Sequence, residues 1–227
     1  ANDGGSANYL IRNKTSEDVE DNASIIFLNN NNLVAELIVN GYVTPEMFGA
    51  YGNGETNDST YIQKALNSGY KVLFYNKTYR ADNLNVPENS FIEGNNCIIK
   101  AISTIGPILT INRDSTIQNI NVQGISKDSL AECGFKFSST GYRINLNNIS
   151  ATYCDYGVKD TNGIWSVTSS KIWVRGCNHG LEISGGASTS FSLNNFLHEN
   201  CGKPLYIKFL SYSNLRNIMR RLCKRWR

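Results

Sequence analysis

Cysteines at positions 154, 177, 201 and 223 recur at intervals of 23, 24 and 22 residues, and so regular a spacing demands a search for internal repeats before any other reading. Three segments align on this interval: Cys133-Gly134-Phe135-Lys136-Phe137, Tyr156-Gly157-Val158-Lys159-Asp160 and His179-Gly180-Leu181-Glu182-Ile183. Lys203-Pro204-Leu205-Tyr206-Ile207 follows, with Pro in place of Gly. Each reads as a short strand with apolar residues at alternate positions, one face buried and one wet. A second segment recurs as Ile117-Gln118-Asn119-Ile120, Leu146-Asn147-Asn148-Ile149, Leu193-Asn194-Asn195-Phe196 and Leu215-Arg216-Asn217-Ile218, and it also reads as a strand. Asn96, Asn119, Asn148, Asn195 and Asn217 share one phase, and Lys171 interrupts them.

If one repeat is one turn of a coil, equivalent residues stack about 4.8 Å apart, the spacing of hydrogen-bonded strands. An Asn at a bend can then bond the amides above and below it, forming a ladder. Leucine-rich repeats share the period but need a Leu-x-x-Leu-x-Leu frame, which is absent. A parallel β-helix of about six coils fits the alternation and the turn residues. The cysteine column reads as small apolar side chains stacked inside the coils and reduced. Composition agrees: the 227 residues include 31 Asn and 19 Gly, and Asn is a poor helix former and a good turn former.

Charge divides unevenly. Residues 1–199 carry a net −5 and residues 200–227 a net +8, so the body lacks the basic footprint of a nucleic-acid binder. No apolar run approaches the roughly 18–20 residues of a membrane span. The six Cys form no C-x-x-C pair and only His179 and His198 could assist them, so no metal site is expected. No cofactor is implied either. The glycines near residue 50 lack the Lys-Ser/Thr of a phosphate-binding loop.

The coils are preceded by Val43-Thr44-Pro45-Glu46-Met47-Phe48-Gly49-Ala50-Tyr51-Gly52-Asn53-Gly54-Glu55-Thr56-Asn57-Asp58-Ser59-Thr60-Tyr61-Ile62-Gln63-Lys64-Ala65-Leu66. Asp58 or Ser59 can cap a helix whose apolar residues Ile62, Ala65 and Leu66 fall on one face, and Gly69 stops it. Such a helix would cover the open end of the first coil. The stretch resembles the opening of the pectate-lyase-like right-handed parallel β-helix family, with Asn53 and Asn57 where that family usually has acids and Asp58 retained. Residues 1–44 resemble the connector that precedes the β-helix in phage tail spikes, notably Asp3–Ile11 and Ala23–Leu28, followed by Leu33–Val39. The domains expected are thus a β-rich neck over 1–44, a cap over 45–70, coils over 71–218 and a basic tail over 219–227.

The resemblance implies an all-β fold. It also implies a virion tail protein of a phage or prophage that acts outside the cell, binds bacterial surface polysaccharide and usually cleaves it as a homotrimer. Hydrolysis would need two carboxylates, about 5–5.5 Å apart if retaining or roughly 6.5–9.5 Å if inverting. β-Elimination would need a base beside a uronic acid and a stabilising cation. Candidate carboxylates are Glu182, Glu199 and Asp160. Glu182 aligns with Lys159 and Glu199 with Arg175, as ladder ion pairs would. Asp160 falls where other copies have Phe137, Ile183 and Ile207, so its charge must bend out of the core or be costly. Candidate sugar-stacking residues are Trp165, Trp173 and Tyr156. His198 falls in a column with Val122, Ala151 and Val174 and reads as packing.

Alternatives remain open at this point: a non-catalytic structural or adhesion segment of a tail spike, or a secreted monomeric polysaccharide lyase. With so few coils and no evident trimer-forming region, the chain reads as truncated and its cleavage as weak or absent. The last residues read in three ways. Leu215, Ile218, Met219, Leu222 and Trp226 fit a helical stripe that could cap the last coil; the Arg-rich face could bind a membrane or nucleic acid; or the coding sequence is interrupted after Ile218, the reading favoured here.

Overall fold

The computed structural model describes residues 7–21, 24–28, 32–139, 141–186 and 188–220. Residues 1–6, 22–23 and 29–31 of the expected neck and 221–227 of the expected tail, including Leu222, Cys223 and Trp226, lie outside them. The neck is a small antiparallel sheet in which Leu33–Leu37 pairs Tyr9–Asn13 on one side and Ile25–Phe27 on the other.

A 3₁₀ turn at Pro45–Phe48 and a strand at Asn53–Asn57 lead into the helix Ser59–Asn67. Ile62, Ala65 and Leu66 are its buried face, as the spacing requires. Asp58 stands at the N-cap position but its side chain does not cap the helix. Its carboxylate, wholly buried, instead accepts the backbone amides of Tyr51 (2.8 Å) and Gly52 (3.1 Å). Gly52 has φ +61°, and a Cβ there would stand 2.9 Å from the Tyr79 ring. The glycine and the acid of the opening motif thus close one turn against the first coil.

Beyond the cap the chain is a right-handed parallel β-helix of about seven turns, with one short α-helix among the described residues. A complete coil has three strands, for example Cys154–Asp160, Trp165–Ser169 and Ile172–Arg175. The repeated segments pair residue for residue as their alignment predicts: Cys133 with Tyr156, Tyr156 with His179, and His179 with Lys203. They belong to a parallel sheet of six first strands that also includes Pro107–Ile111 and Leu84–Val86. Inward-facing Phe135, Phe137, Leu181 and Ile183 are buried in a continuous core.

In the later coils the second repeated segment is the corner between two strands, while in Phe91–Lys100 and Thr116–Gln123 it is an irregularity within one continuous strand. Leu146 lies at the end of Tyr142–Asn147, Asn148 turns the chain, and Ile149 opens Ile149–Thr152. Left-handed φ values of 60°, 57°, 51° and 52° at Asn96, Asn119, Asn148 and Asn217 explain the residue type, since Asn tolerates this region better than other non-glycine residues. Strand register places Asn96, Asn119, Asn148, Lys171, Asn195 and Asn217 in one column. Asn148 donates to Asn119 (2.9 Å) and Asn217 to Asn195 (3.2 Å), while Lys171 splits the ladder and Asn195 turns to the Ser170 carbonyl (3.0 Å).

The ladder ends on Glu93, which accepts from Asn119. Burial raises the Glu93 pKa, but the Asn95 amide and the Asn119 and Gln118 side chains outweigh it and hold the carboxyl below its ordinary value of 4.5. The folded state therefore binds a proton less readily than the unfolded chain. The stability Glu93 contributes is complete above 4.5 and is lost as pH falls through its lower folded value. Melting curves from pH 6 down to 3 should show a smaller acid-induced loss in Glu93→Gln than in the parent protein.

The cysteines at 97, 133, 154 and 177 are buried and free, and Cys201 is free and half-buried. Contact with the Cys154 thiol, together with burial, pushes the Cys177 thiol up to about 12; burial does the same for Cys133. Such thiols are inert packing groups at neutral pH. Register also persists past the apparent break in the sequence: Ile218–Arg220 is a strand that pairs Ile218 with Phe196, Met219 with Leu197 and Arg220 with His198. Leu215 and Met219 are thus strand residues, and the helical stripe does not form over the part of it that is described.

Candidate functional site

Outward residues of the third strands stack in two adjacent columns, because side chains two apart on a strand share a face. One column runs Ile98, Asn121, Ser150, Trp173, and the other Lys100, Gln123, Thr152, Arg175. Between them lies a groove of about 380 Å³ lined by these residues except Lys100, with Asn96, Val122 and Tyr153. It crosses four coils, a span of about 14 Å at the interstrand spacing.

Local sequence explains its walls. Tyr153 turns the chain with φ 57°, and Gly176 occupies the equivalent corner one coil on. A Cβ on Gly176 would come within 2.8 Å of the Tyr153 ring, so glycine there leaves the ring its place beside the groove. On the floor, Ser150 donates to Asn121 Oδ1 (2.6 Å), and Asn121 Nδ2 donates to the Cys97 carbonyl (3.0 Å). Amides and hydroxyls held in place between a Trp and a Tyr can bond sugar hydroxyls while the rings stack on pyranose faces.

Among the residues singled out in the sequence, Trp173 lines this groove and Glu199 adjoins it. Glu199 is buried, with one oxygen 3.9 Å from Arg175 Nε, the ladder partner that alignment predicts. Trp165 lies elsewhere, on a second strand, 56% exposed and tilted 6.2 Å from the Tyr142 ring. Tyr156 and Glu182 share the first-strand sheet. There the His179 ring stacks on Tyr156 at 4.4 Å and Lys159 Nζ stands 3.5 Å from the Tyr156 ring centre. Lys159 and Glu182 are register partners, but the ammonium sits on the ring rather than on the carboxylate. Glu182 instead accepts from Ser184 Oγ (2.9 Å).

Asp160 resolves differently from either expectation. It remains in the buried column, wholly inaccessible, and its oxygens accept the backbone amides of Asn162 and Gly163 at 3.0 Å. The charge is satisfied by the turn it closes, and no face of it meets solvent. Glu182 and Glu199 stand on different sheets of one coil, so these three carboxylates do not converge on one groove. His198 is partly buried, and burial together with nearby Arg220 holds its pKa below the usual histidine value. Sequence reasoning passed over Tyr153, Asn121, Ser150 and Arg175 as groove-lining residues. The signal available was the repeated outward position two residues apart on each third strand.

No family model matches the sequence. A stretch of 56 residues is 46% identical to a capsule K30/K69-specific depolymerase of Klebsiella phage K64-1, covering 23% of this chain and 7% of that protein. The fold is similar to the enzymatically active domain of tailspike protein 2 of bacteriophage CBA120 (TM-score 0.59, 12% identity, 85% of this chain and 40% of that one). It is also similar to a Geobacillus virus E2 protein (TM-score 0.54, 15% identity, 85% of this chain and 46% of that one). The chain spans less than half the length of these proteins. Its architecture is that of the right-handed β-helix of phage tailspikes, and part of its sequence is shared with a phage capsule depolymerase.

Proposed function

We propose that this chain is part of a phage tail spike that binds bacterial capsular polysaccharide along the third-strand groove, outside the host cell. The observation that carries this reading is the run of fixed amides and hydroxyls across four coils, flanked by Trp173 and Tyr153. The tailspike fold and the sequence shared with a capsule depolymerase support it. The parent protein would be a homotrimer that cuts the polymer, by hydrolysis or by β-elimination. Within this chain no carboxylate lines the groove among the described residues, which favours binding over cutting.

Titration of purified Klebsiella K30 and K69 capsular polysaccharides against the protein, followed by tryptophan fluorescence and calorimetry, tests the assignment. Trp173→Ala should weaken binding about tenfold, the value of one ring stacked with its buried area, while Trp165→Ala leaves affinity within twofold. A reducing-end assay on the same mixtures should show little or no release of new ends. Equal effects of the two tryptophans would remove the groove assignment, and rapid release of ends would remove the non-cutting one.

A further inference from the structure

Arg175 is the single charged residue that lines the groove among the described residues. Its side chain is 46% exposed, and its approach to Glu199, at 3.9 Å, is an ion pair too long for a hydrogen bond. The guanidinium fork therefore faces the groove with donors that the carboxylate does not consume. Trp173 precedes it by two residues on the same strand and the same face, which separates the two side-chain origins by about 6.6 Å. In the same column Lys100 stands three coils away, with Gln123 and Thr152 between, and the column continues to Arg80 beyond Lys100 and to Glu199 beyond Arg175.

We infer that Arg175 makes the groove selective for an anionic polysaccharide, binding the carboxylate of an acidic sugar whose ring stacks on Trp173. A planar fork matches a carboxylate in two parallel hydrogen bonds, which an ammonium or an amide cannot reproduce. Glu199 acts here as a positioning residue, holding the guanidinium from below without saturating it. A neutral sugar at this subsite would leave the exposed donors to water. A carboxylate there replaces water with charge-assisted bonds. The inference rests on the groove being the polysaccharide site.

The test uses K30 and K69 capsular polysaccharides in two forms, native and after carbodiimide activation and borohydride treatment, which reduces carboxyl groups to alcohols. The parent protein should bind the native polymer at least about tenfold more tightly than the reduced one, the value of one hydrogen-bonded charge. Arg175→Gln should lose that difference and bind the native and reduced polymers equally. Arg175→Lys, which keeps the charge beside Glu199 and so protects the fold, should recover only part of it. If Trp173→Ala weakens binding but the parent protein binds both forms equally, the anion selectivity is wrong and the groove assignment survives. If neither form binds, or Trp173→Ala has no effect, both are wrong.

Discussion

Phe135→Ala should cost about 3–5 kcal/mol, the usual range for removing a fully buried ring from a core. Phe135 is wholly inaccessible and sits on a first strand between Leu109 of the coil before and Val158 of the coil after. Each coil of a solenoid packs only against its neighbours, so the cavity weakens two interfaces at once and no distant element compensates. For a domain of this length the melting temperature should drop by roughly 6–20 °C. Phe135→Leu, which keeps most of the volume, should cost much less. A drop of under 2 °C for the alanine variant, followed by circular dichroism, would mean that the coil interior is not packed there.

The second large effect concerns a column of glycines. Gly134, Gly157 and Gly180 are buried without needing a left-handed backbone, so their role is space rather than conformation. A Cβ on Gly134 would stand 2.7 Å from the Gly157 carbonyl oxygen, one on Gly157 2.6 Å from that of Gly180, and one on Gly180 2.3 Å from that of Pro204. Gly157 also faces Val174 at 2.7 Å. A carbonyl in a strand ladder cannot move aside without parting the coils. Gly157→Ala should therefore destabilise by about 3 kcal/mol, the upper end of ordinary overpacking, and Gly157→Val by more. Among the described residues Pro204 stands on the edge strand of its sheet, a position where a missing amide hydrogen costs no ladder bond. Denaturant titration of Gly157→Ala measures the loss.

The coil register was legible because it is written in residue types with narrow physical tolerances. Asn at left-handed corners and Gly where coils approach closely recur at the same phase, and alternation on the first strands fixed the buried face. The helix cap was legible from Ile62, Ala65 and Leu66. The second strands were not. Tyr142–Asn147, Trp165–Ser169 and Thr189–Leu193 carry mixed Ser, Thr and Asn, and their short alternation of Ile144 with Leu146 or Phe191 with Leu193 merges with the corner that follows.

The site was legible only in part. Trp173 could be named as an aromatic on a strand, but its neighbours in the groove come from other coils. They become neighbours only when Ser150, Asn121 and Ile98 are stacked in register. Asp160 shows the opposite limit. Its column was assigned correctly, yet the amides of Asn162 and Gly163 that satisfy it belong to a turn whose geometry residue types alone do not specify.

Cross-linking of engineered cysteines tests the stacking most directly. Lys159 and Glu182 are register partners on adjacent coils, and Tyr206 is the partner of Glu182 on the next. The Lys159→Cys/Glu182→Cys pair should close a disulfide under mild oxidation, with Cα atoms about 4.8 Å apart. The Lys159→Cys/Tyr206→Cys pair, about 9.6 Å apart across two coils, should stay open. Closure of the distant pair in preference to the near one, read by mass spectrometry of the oxidised peptides, would contradict the register on which the groove depends.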